Sequence, residues 1–110
     1  MTDLADRSCT PCEGGAPLGA AAARGLLARL HGWTLGDDAR EIRRAFEFKD
    51  YWRTLAFVNA VAWIAHREDH HPEMEVGYNR CTVRYSTHSV GGLSENDCIC
   101  AAKVEALLEG

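Results

Sequence analysis

The segment from Asp50 to Pro72 constrains the fold most, because it predicts one long helix with a defined beginning and end. Apolar residues recur there at steps of three and four, the spacing of one helix face; they are Tyr51, Leu55, Val58, Ala62 and Ala65. Asp50 is a residue type that caps helix starts, and Pro72 disfavours helical geometry at the residue before it. Such an amphipathic helix needs a second layer to cover its apolar face.

Alternating segments on both sides of this helix predict that layer to be a sheet. Residues 41–48 alternate with a period of two that only Arg44 interrupts, and a short strand near residues 33–35 precedes them. After Pro72, residues 74–78 and 81–88 predict two more strands joined near Asn79. The last strand places Val83, Tyr85 and Thr87 on one face, with His88 at its end on the other.

Two further helices complete the prediction. Residues 18–30 are rich in alanine and leucine, and a final helix follows Ser94, which has Asp97 three positions later as in a capping box. The order helix, two strands, helix, two strands, helix predicts an α+β fold, a four-stranded antiparallel sheet with three helices packed on one face. Trp33 and Trp63 are expected in its core.

Length and charge limit the classes of protein that the chain can represent. At 110 residues we expect one domain, residues 18–110, preceded by a Gly- and Pro-rich loop or loose arm, residues 1–17. The net charge of −4 argues against direct nucleic-acid binding. No signal peptide or membrane-spanning run is evident, so we expect a cytoplasmic protein with no membrane partner and with its five cysteines reduced.

Histidines cluster around the predicted junction of the long helix and the last two strands. His66, His70 and His71 lie at the helix end, and His88 at the strand end. Imidazole exchanges protons near neutral pH, so acid–base catalysis is one interpretation and an ordinary polar surface is another. A zinc site is a third, because His66 and His70 have the spacing of two ligands on one helix face, which His88 or Asp97 could complete.

The cysteines and Asp97 also leave alternatives open. Cys9 and Cys12 form a C-x-x-C, which can be half of a zinc site, a redox pair or two structural thiols in the arm. Cys98 and Cys100 are expected to pack as small apolar residues on the last helix. Asp97 either caps that helix or contributes to a site, and Arg84 and Ser86, on the face of His88, are available to hydrogen-bond a polar ligand.

The stretch HHPEMEVGYNRCTVRYSTHSVGGLSENDCICAAKVEAL closely resembles the pterin-4a-carbinolamine dehydratase family. The family signature is a His-His-Pro, a following aromatic residue, a third His and a downstream Asp, which here are His70, His71, Pro72, Tyr78, His88 and Asp97. The upstream Gly32-Trp33, the segment FEFKDYWRTLAFVNAVAWIA and the arm CTPCEGG are similar to the family as well, so the resemblance covers nearly the whole chain.

This resemblance implies dehydration of 4a-hydroxytetrahydropterin to quinonoid dihydropterin, without metal or organic cofactor. It implies that His70 and His88 are the acid–base pair, that His71 assists at the hydroxyl side, and that Asp97 orients a histidine or binds near the site. Trp33 is expected to pack near the pterin ring, and Tyr78, Ser86 and His66 are the remaining candidates for substrate binding. The family often has glutamate at the position of His66, which bears on the pH optimum.

The family also implies partners. Its members are dimers or tetramers, so we expect a homodimer or homotetramer that binds a small pterin substrate. Animal members serve as dimerisation cofactors of a transcription factor, which makes a non-catalytic interaction module the alternative function. A small sheet with exposed edges is a surface suited to such assembly.

Overall fold

A computed structural model describes residues 3–11, 15–36 and 38–108. Three α-helices and four strands follow one another within these residues in the predicted order, which confirms the α+β fold. They are α1 (Ala20–Leu27), β1 (Thr34–Leu35), β2 (Ile42–Glu47), α2 (Tyr51–Glu68), β3 (Glu73–Val76), β4 (Arg80–Tyr85) and α3 (Glu95–Ala106). No helix in this part of the chain is long and apolar enough to cross a membrane.

The strands form one antiparallel sheet in the order β1-β2-β4-β3. In the central pair, Ile42 lies opposite Tyr85 and Phe46 opposite Cys81, and all four side chains are buried against the helices. Burial of Val83, Tyr85 and Thr87 confirms the face predicted for them. Arg44 shares the inner face of β2, where its guanidinium lies over the Phe46 ring and donates to the His31 carbonyl at 2.6 Å. The alternation of β2 therefore continues through this charged residue.

Local interactions set both ends of α2. The Asp50 carboxylate accepts a hydrogen bond from the Arg53 backbone N–H at 2.8 Å, which confirms the predicted N-cap. At the other end Asp69 adopts the left-handed conformation, with φ of 51°, and the His70 N–H donates to the Ala65 carbonyl. The chain consequently leaves the helix immediately before the two adjacent histidines.

The face of α2 that meets the sheet differs from the predicted apolar stripe. The buried residues of this helix are Thr54, Phe57 and Val61, each one position before a residue of the predicted stripe. Phe57 packs between Phe46 and Phe48 of the sheet, with ring centroids 4.7 and 5.0 Å away. Because of these aromatic contacts, α2 turns a different face to the sheet from the one predicted. Trp63 is consequently 60% exposed, and the prediction that it lies in the core was wrong.

Residues 3–11 pack on the domain, although the sequence predicted a loop or loose arm. They include a short 3-10 helix, Leu4–Asp6, whose Leu4 is buried in the main core. Lys103 of α3 donates to the Ala5 carbonyl at 2.7 Å, which ties the segment to the last helix. Cys12, the second cysteine of the C-x-x-C, lies outside the described residues.

Replacing Asp50 by Ala should lower the free energy of unfolding by about 1 kcal/mol, because the Arg53 N–H at the start of α2 loses its acceptor. Urea denaturation followed by circular dichroism measures this change. Asp50→Asn is the matched control, since its amide oxygen also caps a helix, and it should retain most of the stability. An equal loss in both variants would show that the charge, and not the cap, stabilises the helix.

Candidate active site

A buried carboxylate holds the first of the two adjacent histidines. His70 Nε2 lies 2.6 Å from Asp97 Oδ1, and the His70 side chain is 13% exposed whereas Asp97 is fully buried. The imidazole is also stacked on the Tyr85 ring, with centroids 5.8 Å apart and planes 9° from parallel. An ionised carboxylate only accepts hydrogen bonds, so His70 Nε2 is the donor in this contact and Nδ1 is left for other partners.

Asp97 caps α3 with its other oxygen. Its Oδ2 accepts from the Ser94 backbone N–H at 3.0 Å and from the Thr87 hydroxyl at 2.8 Å, and Ser94 Oγ lies 2.7 Å from Thr87 Oγ1. The predicted capping box of Ser94 and Asp97 is thereby confirmed. The two interpretations of Asp97 are compatible, because the cap and the histidine use different oxygens of one carboxylate.

His70, His71 and His88 line one cavity of about 290 Å³. Its remaining lining residues are Asp69, Glu73, Arg84, Ser86, Thr87 and Ser89. His88 does not belong to the last strand as predicted, because β4 ends at Tyr85 and a 3-10 helix, His88–Val90, follows. That turn ends at Gly91, whose φ of 70° favours glycine. The turn brings His88 to the same cavity as the end of α2.

A second cavity of about 420 Å³ lies between His70 and the N-terminal segment, residues 3–11. It shares Asp69, His70, Thr87 and Ser89 with the first cavity. Cys9, Thr10 and Pro11 of the N-terminal segment form another part of its lining, together with Glu68 and Asn96. His70 is thus accessible from two adjoining depressions, one that contains the other histidines and one that the N-terminal segment helps to form.

Three of the candidate residues lie elsewhere in the chain and line neither cavity. Trp33 is buried in the core, packed against Phe46 and Tyr85. Tyr78, in the turn between β3 and β4, is 68% exposed and stacks on Tyr51. His66 is exposed on α2, where its ring contacts Trp63.

A larger depression, of about 800 Å³, lies on the open face of the sheet. Its lining combines charged residues of several strands, among them Arg43, Glu75 and Arg80, with Arg84. None of its described lining residues is a histidine, so the histidines that share a cavity lie outside this depression. Arg84 separates the two regions, since it lines both the depression and the histidine cavity.

Thr87 and Tyr85 contact the site and were not among the candidates. The alternation of residues 81–88 placed both on the buried face, and a buried hydroxyl needs a hydrogen-bond partner, which was the available signal for Thr87. Burial raises the pKa of the Tyr85 hydroxyl far above its ordinary value, so Tyr85 stays protonated beside the His70 ring. In the described ranges, no group of three or more His, Cys, Asp or Glu residues is arranged to hold a metal ion.

The chain is similar to known proteins over nearly its whole length. A profile of the family described as Pterin 4 alpha carbinolamine dehydratase matches residues 16–107. A protein of Nitrosomonas eutropha is 62% identical over 98% of this chain and 96% of its own length, and one of Nitrosomonas europaea is 59% identical over 99% and 96%. Both are provisionally named pterin-4-alpha-carbinolamine dehydratases.

Two solved structures share the fold. The crystal structure of a transcriptional coactivator/pterin dehydratase from Brucella melitensis is 36% identical, with a TM-score of 0.79 over 83% of this chain and 97% of that one. A pterin dehydratase-like protein described as a RuBisCO assembly factor in the alpha-carboxysome has a TM-score of 0.63 over 73% and 93%. At 23% identity, this second structure shows likeness of fold alone.

The fold and the site define a class of small α+β proteins in which histidines from a helix end and a following turn share one cavity. Within that class the family profile covers most of the chain, and relatives above 50% identity span nearly its full length. The chain belongs to the pterin 4 alpha carbinolamine dehydratase family.

Replacing Thr87 by Val should lower the free energy of unfolding by about 2 kcal/mol, because Asp97 Oδ2 loses a hydroxyl donor in a fully buried position. Thr87→Ser keeps the hydroxyl and loses only a methyl group, so its cost should be about 1 kcal/mol. Chemical denaturation of both variants measures the difference. A Val variant as stable as the native protein would show that the hydroxyl contributes nothing to holding the carboxylate.

Proposed function

We propose that this protein catalyses the dehydration of 4a-hydroxytetrahydropterin to quinonoid dihydropterin by histidine acid–base catalysis. The observation that carries the proposal is the pairing of His70 with the buried Asp97 at a cavity that His71 and His88 also line. Membership in the family supports the substrate class, and the names of the Nitrosomonas relatives support the reaction.

The reaction needs proton transfer at two places. The hydroxyl at C4a leaves as water after it receives a proton, the neighbouring ring nitrogen supplies electrons, and a base accepts a proton from a ring N–H. We assign these two transfers to His70 and His88, because both imidazoles face the same cavity from different elements. In this proposal His71 assists at the hydroxyl side and Ser86 hydrogen-bonds the ring system; what supports both roles is that these residues line the same cavity.

Asp97 acts as a positioning residue in this proposal. Its Oδ1 fixes the His70 ring with Nε2 toward the protein, so that Nδ1 exchanges protons with the substrate. The stacked Tyr85 ring restrains the same imidazole from its face. Such fixed orientation favours catalysis, because a proton-transferring group must lie within hydrogen-bond distance of the reacting atom.

Replacing His70 or His88 by Ala should slow the catalysed dehydration by roughly 100-fold or more, because each removes a proton-transferring group. Stopped-flow absorbance on freshly generated 4a-hydroxytetrahydropterin, with the uncatalysed reaction measured beside it, gives the rates. His31→Ala is the matched control, because its side chain is exposed and lines neither histidine cavity. Circular dichroism of each variant verifies that it is folded.

Two results would contradict the assignment. Folded His70→Ala and His88→Ala variants with native rates would exclude these histidines as the acid–base pair. Native protein that does not accelerate the reaction would exclude the dehydratase activity itself and would favour the alternative, a protein-interaction module. The titles of the two solved structures, one a transcriptional coactivator/pterin dehydratase and one an assembly factor, name such roles for those proteins.

We also propose that the protein is a homodimer or homotetramer that uses the outer face of α2. Trp52 and Trp63 are 75% and 60% exposed, and they are eleven residues apart, which places them on the same helix face. Large exposed aromatic side chains on one face are characteristic of protein–protein interfaces. Tyr51 and Tyr78 extend the apolar surface at the beginning of the helix.

The double substitution Trp52→Glu with Trp63→Glu should dissociate the oligomer, because it places two charges in the apolar contact. Light scattering coupled to gel filtration measures the mass of each species. The matched control is Leu107→Glu with Leu108→Glu, which changes two exposed apolar residues after α3 and should leave the native mass unchanged. An unaltered mass in the tryptophan variant, or a monomeric native protein, would exclude this interface.

A further inference from the structure

Two cysteines from distant parts of the sequence have their sulfur atoms in contact. Cys9 Sγ lies 3.5 Å from Cys100 Sγ, although the residues are 91 positions apart. Cys9 belongs to the N-terminal segment and is half-buried at the wall of the second cavity, whereas Cys100 is fully buried in α3. In the sequence, the C-x-x-C spacing relates Cys9 to Cys12 and not to Cys100. The contact between Cys9 and Cys100 is therefore visible only in the tertiary structure.

The N-terminal segment is held in place around this contact by several polar interactions. The Cys9 N–H donates to Glu68 Oε1 at 2.9 Å. Thr10 and Asn96 form a reciprocal pair, because the Thr10 N–H donates to Asn96 Oδ1 at 3.0 Å and Asn96 Nδ2 donates to the Thr10 carbonyl at 2.6 Å. These hydrogen bonds fix the backbone on both sides of the Cys9 side chain and so hold its sulfur atom beside that of Cys100.

We propose that Cys9 and Cys100 form a redox-active dithiol, which a peroxide oxidises to a disulfide that fastens the N-terminal segment to α3. In the first step the Cys9 sulfur attacks hydrogen peroxide, the O–O bond breaks, and sulfenic acid and water form. In the second step the Cys100 sulfur attacks the sulfenic sulfur, an S–S bond forms, and the hydroxyl leaves as a second water. Two thiols lose two electrons in all, and one peroxide gains them.

The surroundings of the two thiols give the order of these steps. Cys9 lines a cavity, so peroxide reaches it first. The contact with Cys9 and burial in α3 both raise the pKa of Cys100, so Cys100 remains a thiol until the sulfenic acid forms beside it. Burial likewise raises the pKa of Cys98 to about 12, and Cys98 is not expected to compete.

The disulfide would affect the cavity next to His70. Thr10 and Pro11 follow Cys9 directly and line this cavity together with His70 and Asn96. A covalent link at Cys9 fixes that wall to the same helix that carries Asp97. The redox state of the pair thus determines how firmly one side of the candidate active site is held.

Mass spectrometry of the full-length protein tests the proposal without any assay of activity. Reduced protein is treated with hydrogen peroxide, free thiols are alkylated, and the protein is digested with trypsin. Cleavage after Arg7, Arg24, Arg84 and Lys103 gives one peptide of residues 8–24 and another of residues 85–103. We expect these two peptides to be joined by a disulfide in the oxidised native protein and separate in the reduced protein.

Four variants identify the sulfur atoms. Cys12→Ser and Cys98→Ala should retain the cross-link, whereas Cys9→Ser and Cys100→Ala should abolish it. Cys9 is half-buried in the N-terminal segment, so Cys9→Ser keeps the test valid even if the Cys100 variant does not fold. A disulfide between Cys9 and Cys12, a cross-link that survives in Cys9→Ser, or oxidation to sulfinic acid without any cross-link would each overturn the proposal.

Discussion

The buried carboxylate of Asp97 is the point at which the site and the fold are joined. One of its oxygens contacts His70 at the end of α2, and the other accepts hydrogen bonds from Ser94 at the start of α3 and Thr87 after β4. A buried charge must be satisfied by such partners, because its desolvation is otherwise costly. The same interactions that stabilise this carboxylate therefore fix the relative positions of three elements around the cavity.

This arrangement explains how a small domain builds a site without a dedicated loop. The left-handed turn at Asp69 ends α2 directly before His70, and the short turn His88–Val90 follows β4. Each turn belongs to the end of a regular element, so both histidines are supported by the hydrogen-bonded framework. The N-terminal segment then closes the far side of His70, where Cys9 meets Cys100. The site, the core and the terminal segment all converge on α3.

Local sequence patterns predicted the type and order of the elements and two of their caps correctly, although the last strand ends at Tyr85 and not at His88. The period of two in residues 41–48 and 81–88, and the positions of Asp50 and Ser94, depend on residues close together in the chain. Which face of α2 meets the sheet could not be predicted from such local patterns. Its apolar residues surround much of the helix, and the contact of Phe57 with Phe46 and Phe48 decides which of them are buried. Trp63 is exposed for that reason, despite its apolar character.

The sequence by itself determined the order of helices and strands, the caps of α2 and α3, and the family signature, because these depend on short-range spacing and on residue identity. Only the tertiary structure decided which residues meet. It paired His70 with Asp97 and brought His88 to their cavity, while Trp33, Tyr78 and His66 lie outside both cavities next to His70. It also brought the Cys9 thiol into contact with Cys100, a pairing that the C-x-x-C spacing does not indicate. Contacts of this kind link distant segments, so they follow from how the core packs and not from any local pattern.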